Sequence, residues 1–303
     1  MSGPTMAARE WLLLIFLSII WGGSFFFAEV ALRDLGPFTI VSGRVFFAAI
    51  ALLIFVYATG KRMPGEIKTW MAFFIMGALN NAIPFSLIVW GQSHIDSGLA
   101  SIINATTPLF TVALAHLLTS DEKLSANKAI GILFGIAGVI VLIGPDALKG
   151  LDAHAWGKIA IIGAAISYAF AGIFGKRLSA LPTSVAAAGM LTGSSVMMLP
   201  LMFIFEAPLL ATPDMATWGS VLGIALLSTS VAYLIYFHIL AKAGATNLLL
   251  VTFLVPVSAI LLGTLVLGEV LSLHAIAGMA IIFAGLACVD GRLLVRIRRR
   301  STS

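Results

Sequence analysis

The 303 residues are 60% hydrophobic and only 10% charged, with a mean hydropathy of +1.07 and a formal net charge of +5. A soluble domain averages about 25% charged residues, so this inventory cannot clothe a water-facing surface. That excludes a soluble enzyme or binding module and points to a polytopic membrane protein.

A bilayer crossing needs ~20 predominantly apolar residues. In chain order the candidates are 11–31, 38–59, 70–92, 97–119, 127–145, 156–176, 184–206, 216–241, 246–268 and 273–294, joined by short polar connections. The first stretch is long and carries no small-residue cleavage site, so it reads as a span and not as a removed signal. The single cysteine, Cys288, lies in the last span, and there is neither a disulfide framework nor a metal-ligand cluster. No cofactor is expected.

With an inner amino terminus, the inner segments hold Arg9, Lys61, Arg62, Lys68, Lys123, Lys128, Lys176, Arg177, Lys242, Arg292, Arg296, Arg298, Arg299 and Arg300. The outer ones hold only Arg33, Lys149 and Lys158, and Arg44 lies inside a span. Such a bias places both termini on the cytoplasmic side of a bacterial-type inner membrane. The basic excess is therefore an orientation signal, helped at the C-terminal Arg run by anionic lipid, and not a nucleic-acid surface.

The segments 108–143 and 256–290 are copies of one another. At an offset of 147, Leu114, Leu118, Glu122, Ser125, Gly131 and Gly138 meet Leu261, Leu265, Glu269, Ser272, Gly278 and Gly285; shifted by one, Pro108 meets Pro256. Elsewhere Trp90, Gly98 and Leu35 align with Tyr236, Gly244 and Leu181 at offset 146. The ten spans thus divide into five-helix halves, residues 1–148 and 149–303, about an outer loop holding Gly144, Pro145, Asp146 and Gly150. Because five is odd, the halves have opposite orientations. The expected fold is all-α, ten transmembrane helices in two inverted five-helix repeats. Such repeats recur in secondary transporters, with substrate held near the midplane between them.

Trp21-Gly22-Gly23-Ser24-Phe25, the pattern Ser101, Asn104, Thr107-Pro108-Leu109-Phe110, and the paired Glu122/Glu269 and Gly131/Gly138 with Gly278/Gly285 resemble the EamA-type drug/metabolite transporters over essentially the whole chain. Within that superfamily the layout is similar to the YddG-type aromatic amino acid exporters. The resemblance implies export of small metabolites, with aromatic or apolar amino acids preferred. One departure stands out: Ser167-Tyr168 occupies the positions of Trp21-Gly22, so the halves are not expected to contribute symmetrically to a pocket.

Four prolines sit deep in spans, at Pro84, Pro108, Pro200 and Pro256. Each lacks the N–H for the carbonyl four residues earlier and kinks its helix, freeing the carbonyls of Asn80, Asn104, Val196 and Thr252. Polar backbone at membrane depth is tolerated where it faces protein or a water-filled cavity. This places Asn80, Asn104 and Thr252 at the cavity, unless they cap their own helices. Asn81, Thr107, Ser230, Tyr233 and Tyr236 join them, with Trp21 and Ser24 on the first span and Tyr168 on the sixth. Amides, hydroxyls and rings without fixed charge suit a zwitterion or a neutral amphipathic metabolite.

A charge at mid-bilayer costs ~2.5–3.5 kcal/mol even on lenient scales and is a functional suspect. Arg44, six residues into its span and ~9 Å from the outer start, either snorkels outward, pairs with Glu29, or faces the cavity and binds a carboxylate. Gly131, Gly135, Gly138, Gly278 and Gly285 let helices pack closely, as an internal scaffold or as the contact of a homodimer. A quaternary-ammonium or multidrug exporter is the first rival, but it wants a membrane-buried carboxylate. An intramembrane enzyme is the second; five scattered histidines and one cysteine offer it no catalytic constellation.

Overall fold

The computed structural model of the chain describes residues 7–119, 125–143, 152–208 and 211–290. The described residues hold eight helices long and apolar enough to cross a membrane: α1 (Ala8–Ala31), α2 (Pro37–Ala58), α3 (Ile67–Gln92), α4 (Ser97–Leu118), α5 (Ala126–Ile143), α6 (Ala153–Leu178), α7 (Thr183–Phe205) and α8 (Met215–Gly244). Two shorter apolar helices follow, α9 (Val251–Leu267) and α10 (Leu273–Val289). The expected architecture is therefore present, and no strand occurs among the described residues. Glu122, Leu124 and the expected repeat boundary at 146–150 lie outside the described residues.

Three helices contain a widened turn of the five-residue π type, at Ala78–Ala82, Leu226–Val231 and Gly263–Leu267. In α3 the cause is Pro84: the N–H of Ile83 bonds back five residues to the Ala78 carbonyl, which shifts the register across the missing proline donor. The Ser167 hydroxyl of α6 donates 2.7 Å to the Leu79 carbonyl. The proline's effect was expected at Asn80, and the wider turn moves the side-chain cap to Leu79. In α8 no proline is involved. There the hydroxyls of Thr229 and Ser230 donate to the carbonyls of Ile224 and Ala225, each five residues back. Such turns occur frequently at functional sites.

Pro108 follows a break at Ala105–Thr106, and the Thr107 hydroxyl donates 2.7 Å to the Asn104 carbonyl. Pro200 and Pro256, expected to mark kinks, lie within helices that run on through them. The break before α9 comes earlier, at 249–250, five residues after a kink at Gly244, whose φ of +79° would strain any residue bearing a Cβ.

Helices from opposite halves pair throughout. α1 packs on α8 and α9, as α6 packs on α3 and α4, while α2 lies on α7 and α5 on α10. The α5–α10 contact is a glycine seam. A Cβ on Gly131 would come 2.6 Å from the Gly285 carbonyl oxygen, and one on Gly138 would come 3.0 Å from that of Gly278. Since Gly131 and Gly138 are the sequence counterparts of Gly278 and Gly285, the copies cross-pair. The seam is internal, so it accounts for these glycines without a second chain. Gly22 does the same for α1 and α9, where a Cβ would come 2.9 Å from the Val255 carbonyl oxygen.

The interior forms two apolar clusters. One gathers α2, α3, α7 and the first half of α8 around Val45, Phe73, Leu191 and Ile224. The other gathers α1, α4, α6, α9 and α10 around Leu17, Ile102, Ile161, Ala259 and Ile282. Tyr168 packs against both, so it stands at their seam.

Candidate substrate site

At the α2–α8 crossing, Arg44 is 8% exposed and its Nε donates 3.0 Å to the Thr229 hydroxyl, itself held by the widened turn of α8. The guanidinium carbon lies 3.5 Å from the centroid of the Phe85 ring on α3, a cation–π contact. Tyr168 and Tyr233 are its electrostatic neighbours.

Beside it the widened turn of α3 presents two amides. Asn80 Nδ2 donates 3.0 Å to the Tyr233 hydroxyl, and that hydroxyl donates 2.8 Å to Asn81 Oδ1. Asn81, fully buried, donates 3.1 Å to the Ser194 hydroxyl of α7, which in turn donates 2.7 Å to the Met190 carbonyl. Buried amides carry a large penalty when unpaired, and this chain of bonds removes it. One helical turn on, Tyr236 lies 5.7 Å from Trp21 and 5.3 Å from Phe237 between ring centroids. Trp21, Asn80, Tyr168, Tyr233 and Tyr236 are half-buried while packed among helices of both halves.

The structure thus brings together Trp21, Arg44, Asn80, Asn81, Tyr168, Tyr233 and Tyr236, and Ser230 sits next to them with its hydroxyl turned to the Ala225 and Ala48 carbonyls. The others behave differently. Thr107 and Thr252 donate to carbonyls three residues earlier in the chain, those of Asn104 and Leu249. Asn104 keeps Oδ1 buried without a partner among the described residues. Ser24 is half-buried, with no hydrogen bond among the described residues. Thr229, Phe85, Ser167 and Ser194 complete the site. Thr229 shares a helical face with Tyr233 and reads from the sequence as one of the polar residues of that face, whereas nothing in the sequence marks Phe85.

Two expectations are corrected. Arg44 does not pair with Glu29: Gln92 donates 3.3 Å to the Glu29 carboxylate, and Arg33 is the cation beside it. Nor does Arg44 snorkel: it is buried, with Nε turned to the Thr229 hydroxyl of α8. Consequently the cluster is not uncharged. It carries one permanent positive charge.

At the face bearing Arg33, carboxylates tie the halves together. Glu206 accepts from the backbone N–H of Phe38 and Thr39 at 2.8 Å each, and Glu269 accepts from Ser97 and Gly98 at 2.9 Å each. Each caps the first turn of a helix in the other half, where free N–H groups and the helix dipole favour a negative charge. Asp34 accepts from the Thr217 hydroxyl and from the backbone of Asp214, and those bonds, the Thr217 one foremost, hold its carboxyl below the usual range. Asp96 is pushed up, first by desolvation and then by the neighbouring charge of Glu269. At the opposite face Lys61 donates 3.1 Å to the Ser184 hydroxyl. No group of three metal-binding side chains exists among the described residues.

The sequence pattern of the EamA-like transporter family matches residues 9–144 and again residues 155–289. The chain is 29% identical over 285 residues to "Uncharacterized inner membrane transporter YedA" of Escherichia coli K12, covering 93% of this chain and 90% of that protein. It is 26% identical over 275 residues to "Uncharacterized transporter YoaV" of Bacillus subtilis, covering 90% and 94%. Against the "Probable amino-acid metabolite efflux pump" of Escherichia coli K12 the identity is 27% over 292 residues, covering 93% and 94%. A crystal structure overlays with a TM-score of 0.67 across 96% of this chain and 99% of the other, at 19% identity, a likeness of fold alone.

Proposed function

The chain belongs to the EamA-like transporter family and is a multi-pass membrane transporter, and from that premise we propose that it exports small metabolites, foremost aromatic or apolar amino acids, through the Arg44–Asn80–Tyr233 site. The observation that carries this reading is the convergence of Trp21, Arg44, Asn80, Asn81, Tyr168, Tyr233 and Tyr236, from both halves of the chain, where the two apolar clusters meet. Rings accommodate an apolar side chain, and the guanidinium and amides orient a polar head. The likeness to an efflux pump named for amino-acid metabolites supports the substrate class.

The halves 1–148 and 149–303 act as inverted repeats that rock about this site in alternating access. The reciprocal packing of α1 on α8–α9 and α6 on α3–α4 supports that division. The charge distribution supports cytoplasmic termini in a bacterial inner membrane, with the C-terminal Arg run against anionic lipid. A homodimer is compatible with this arrangement and not required by it.

Uptake of a labelled amino-acid panel into proteoliposomes, with and without a pH gradient, tests the proposal. Saturable flux of aromatic or apolar members is expected. No saturable flux for any amino acid would remove the substrate assignment, and a rate that ignores the gradient would mark facilitated diffusion.

A further inference from the structure

Resting on that transport site, we infer that the group it recognises is a carboxylate and that a compensating ammonium is dispensable: apolar monocarboxylates of net charge −1 are substrates alongside the zwitterionic amino acids. The argument begins with the charge of Arg44, which is permanent because a guanidinium does not deprotonate in proteins. Of its five N–H donors, only Nε has an acceptor among the described residues, the Thr229 hydroxyl. One face is covered by Phe85. What remains is the forked edge that matches a carboxylate in two parallel hydrogen bonds.

No described carboxylate balances that charge. Tyr168 and Tyr233, both neutral phenols, are the ionisable groups that interact with it. The acids near the membrane faces are otherwise engaged: Glu29 by Gln92, Asp34 by Thr217, and Glu206 and Glu269 by the first turns of α2 and α4. A buried charge is stable only when paired. The missing partner is therefore the transported anion itself. The same inventory disfavours a cation, because an ammonium here would meet the field of Arg44 and find no anionic acceptor. Asn80, Asn81 and Tyr233 are already bonded to one another, and Trp21, Tyr236 and Phe237 meet one another through ring contacts and carry no charge.

The test uses the full-length protein purified in non-ionic detergent and three probes that share an aromatic body but differ in charge: 3-phenylpropanoate, phenylalanine and phenethylamine. Thermal stabilisation is expected from the propanoate at concentrations at least about tenfold below those at which the amine acts. Arg44→Gln should abolish the response to both acids and Arg44→Lys should retain part of it. Equal stabilisation by the amine, no response to the propanoate, or a propanoate response that survives Arg44→Gln overturns the inference. If Arg44→Gln does not fold, the probe series on the unaltered protein decides. Phenylalanine flux in proteoliposomes separates the two readings. Flux that the propanoate fails to inhibit overturns the carboxylate inference and leaves amino-acid transport standing. Propanoate binding without phenylalanine flux does the reverse.

Discussion

Replacing Glu269 by alanine tests the most explicit tie between the two halves. Its carboxylate accepts two backbone N–H groups, from Ser97 and Gly98, at 2.9 Å each, and Ser97 is fully buried. A hydrogen bond to a charged group contributes about 1.5–3 kcal/mol, and an acid at a helix N-terminus about 0.3–1 kcal/mol more. Glu269 is half-buried, so water can partly replace it. After that discount Glu269→Ala should cost about 2–4 kcal/mol. At roughly 2 °C per kcal/mol, the lower end for a long chain, the thermal midpoint should fall by roughly 4–8 °C. Glu269→Gln keeps an acceptor but loses the charge and one bond, so about half that fall is expected. Midpoints are compared in one detergent at one scan rate, because irreversible unfolding makes them rate-dependent. Glu66→Ala is the control, since Glu66 is exposed and its one side-chain hydrogen bond among the described residues is accepted from the Thr69 hydroxyl at 3.5 Å. A Glu269→Ala midpoint within about 1 °C of the parent, or equal falls for alanine and glutamine, would refute the capping argument.

Tyr233→Phe deletes a hydroxyl that serves both Asn80 and Asn81, and should cost about 1–3 kcal/mol together with a loss of transport rate, read by thermal midpoint and flux. In the glycine seam Gly278→Val should cost at least about 1–3 kcal/mol, since its Cβ would meet Leu142 at 2.5 Å, whereas Gly219→Ala, with nothing within 4 Å, should be neutral or stabilising by up to about 1 kcal/mol; equal midpoints for the two would contradict the seam. For Asp96 the folded carboxyl titrates above its unfolded value, so the folded protein binds more protons and stability declines as pH rises from the unfolded to the raised folded value. Asp96→Asn should therefore raise the midpoint at pH 7 and lose that advantage below about pH 4, and because Asp96 makes no side-chain cap bond the substitution removes no contact of that kind; an unchanged midpoint at both pH values would count against the desolvation argument.

The ten apolar segments, the duplication and the paired glycines were legible in the sequence because each is a local property. Crossing a bilayer demands length and apolarity within one stretch, and a glycine that must admit a backbone is marked by its own lack of a Cβ. Asn80, Asn81, Tyr233 and Tyr236 were legible for a related reason, as polar or amphipathic residues at a depth where such groups need partners. Two features were not. The widened turn in α8 arises without a proline, and the hydroxyls of Thr229 and Ser230 that support it read as ordinary pocket residues. The role of Arg44 stayed open among three destinations because a long flexible side chain reaches snorkelling, a Glu29 pair or the interior from the same backbone position. Composition and spacing determined that this chain spans a membrane as two copies of one unit. Only the packing of α2 against α8, which sets Arg44 on a hydroxyl 185 residues away, decided that the place where those copies meet carries a positive charge.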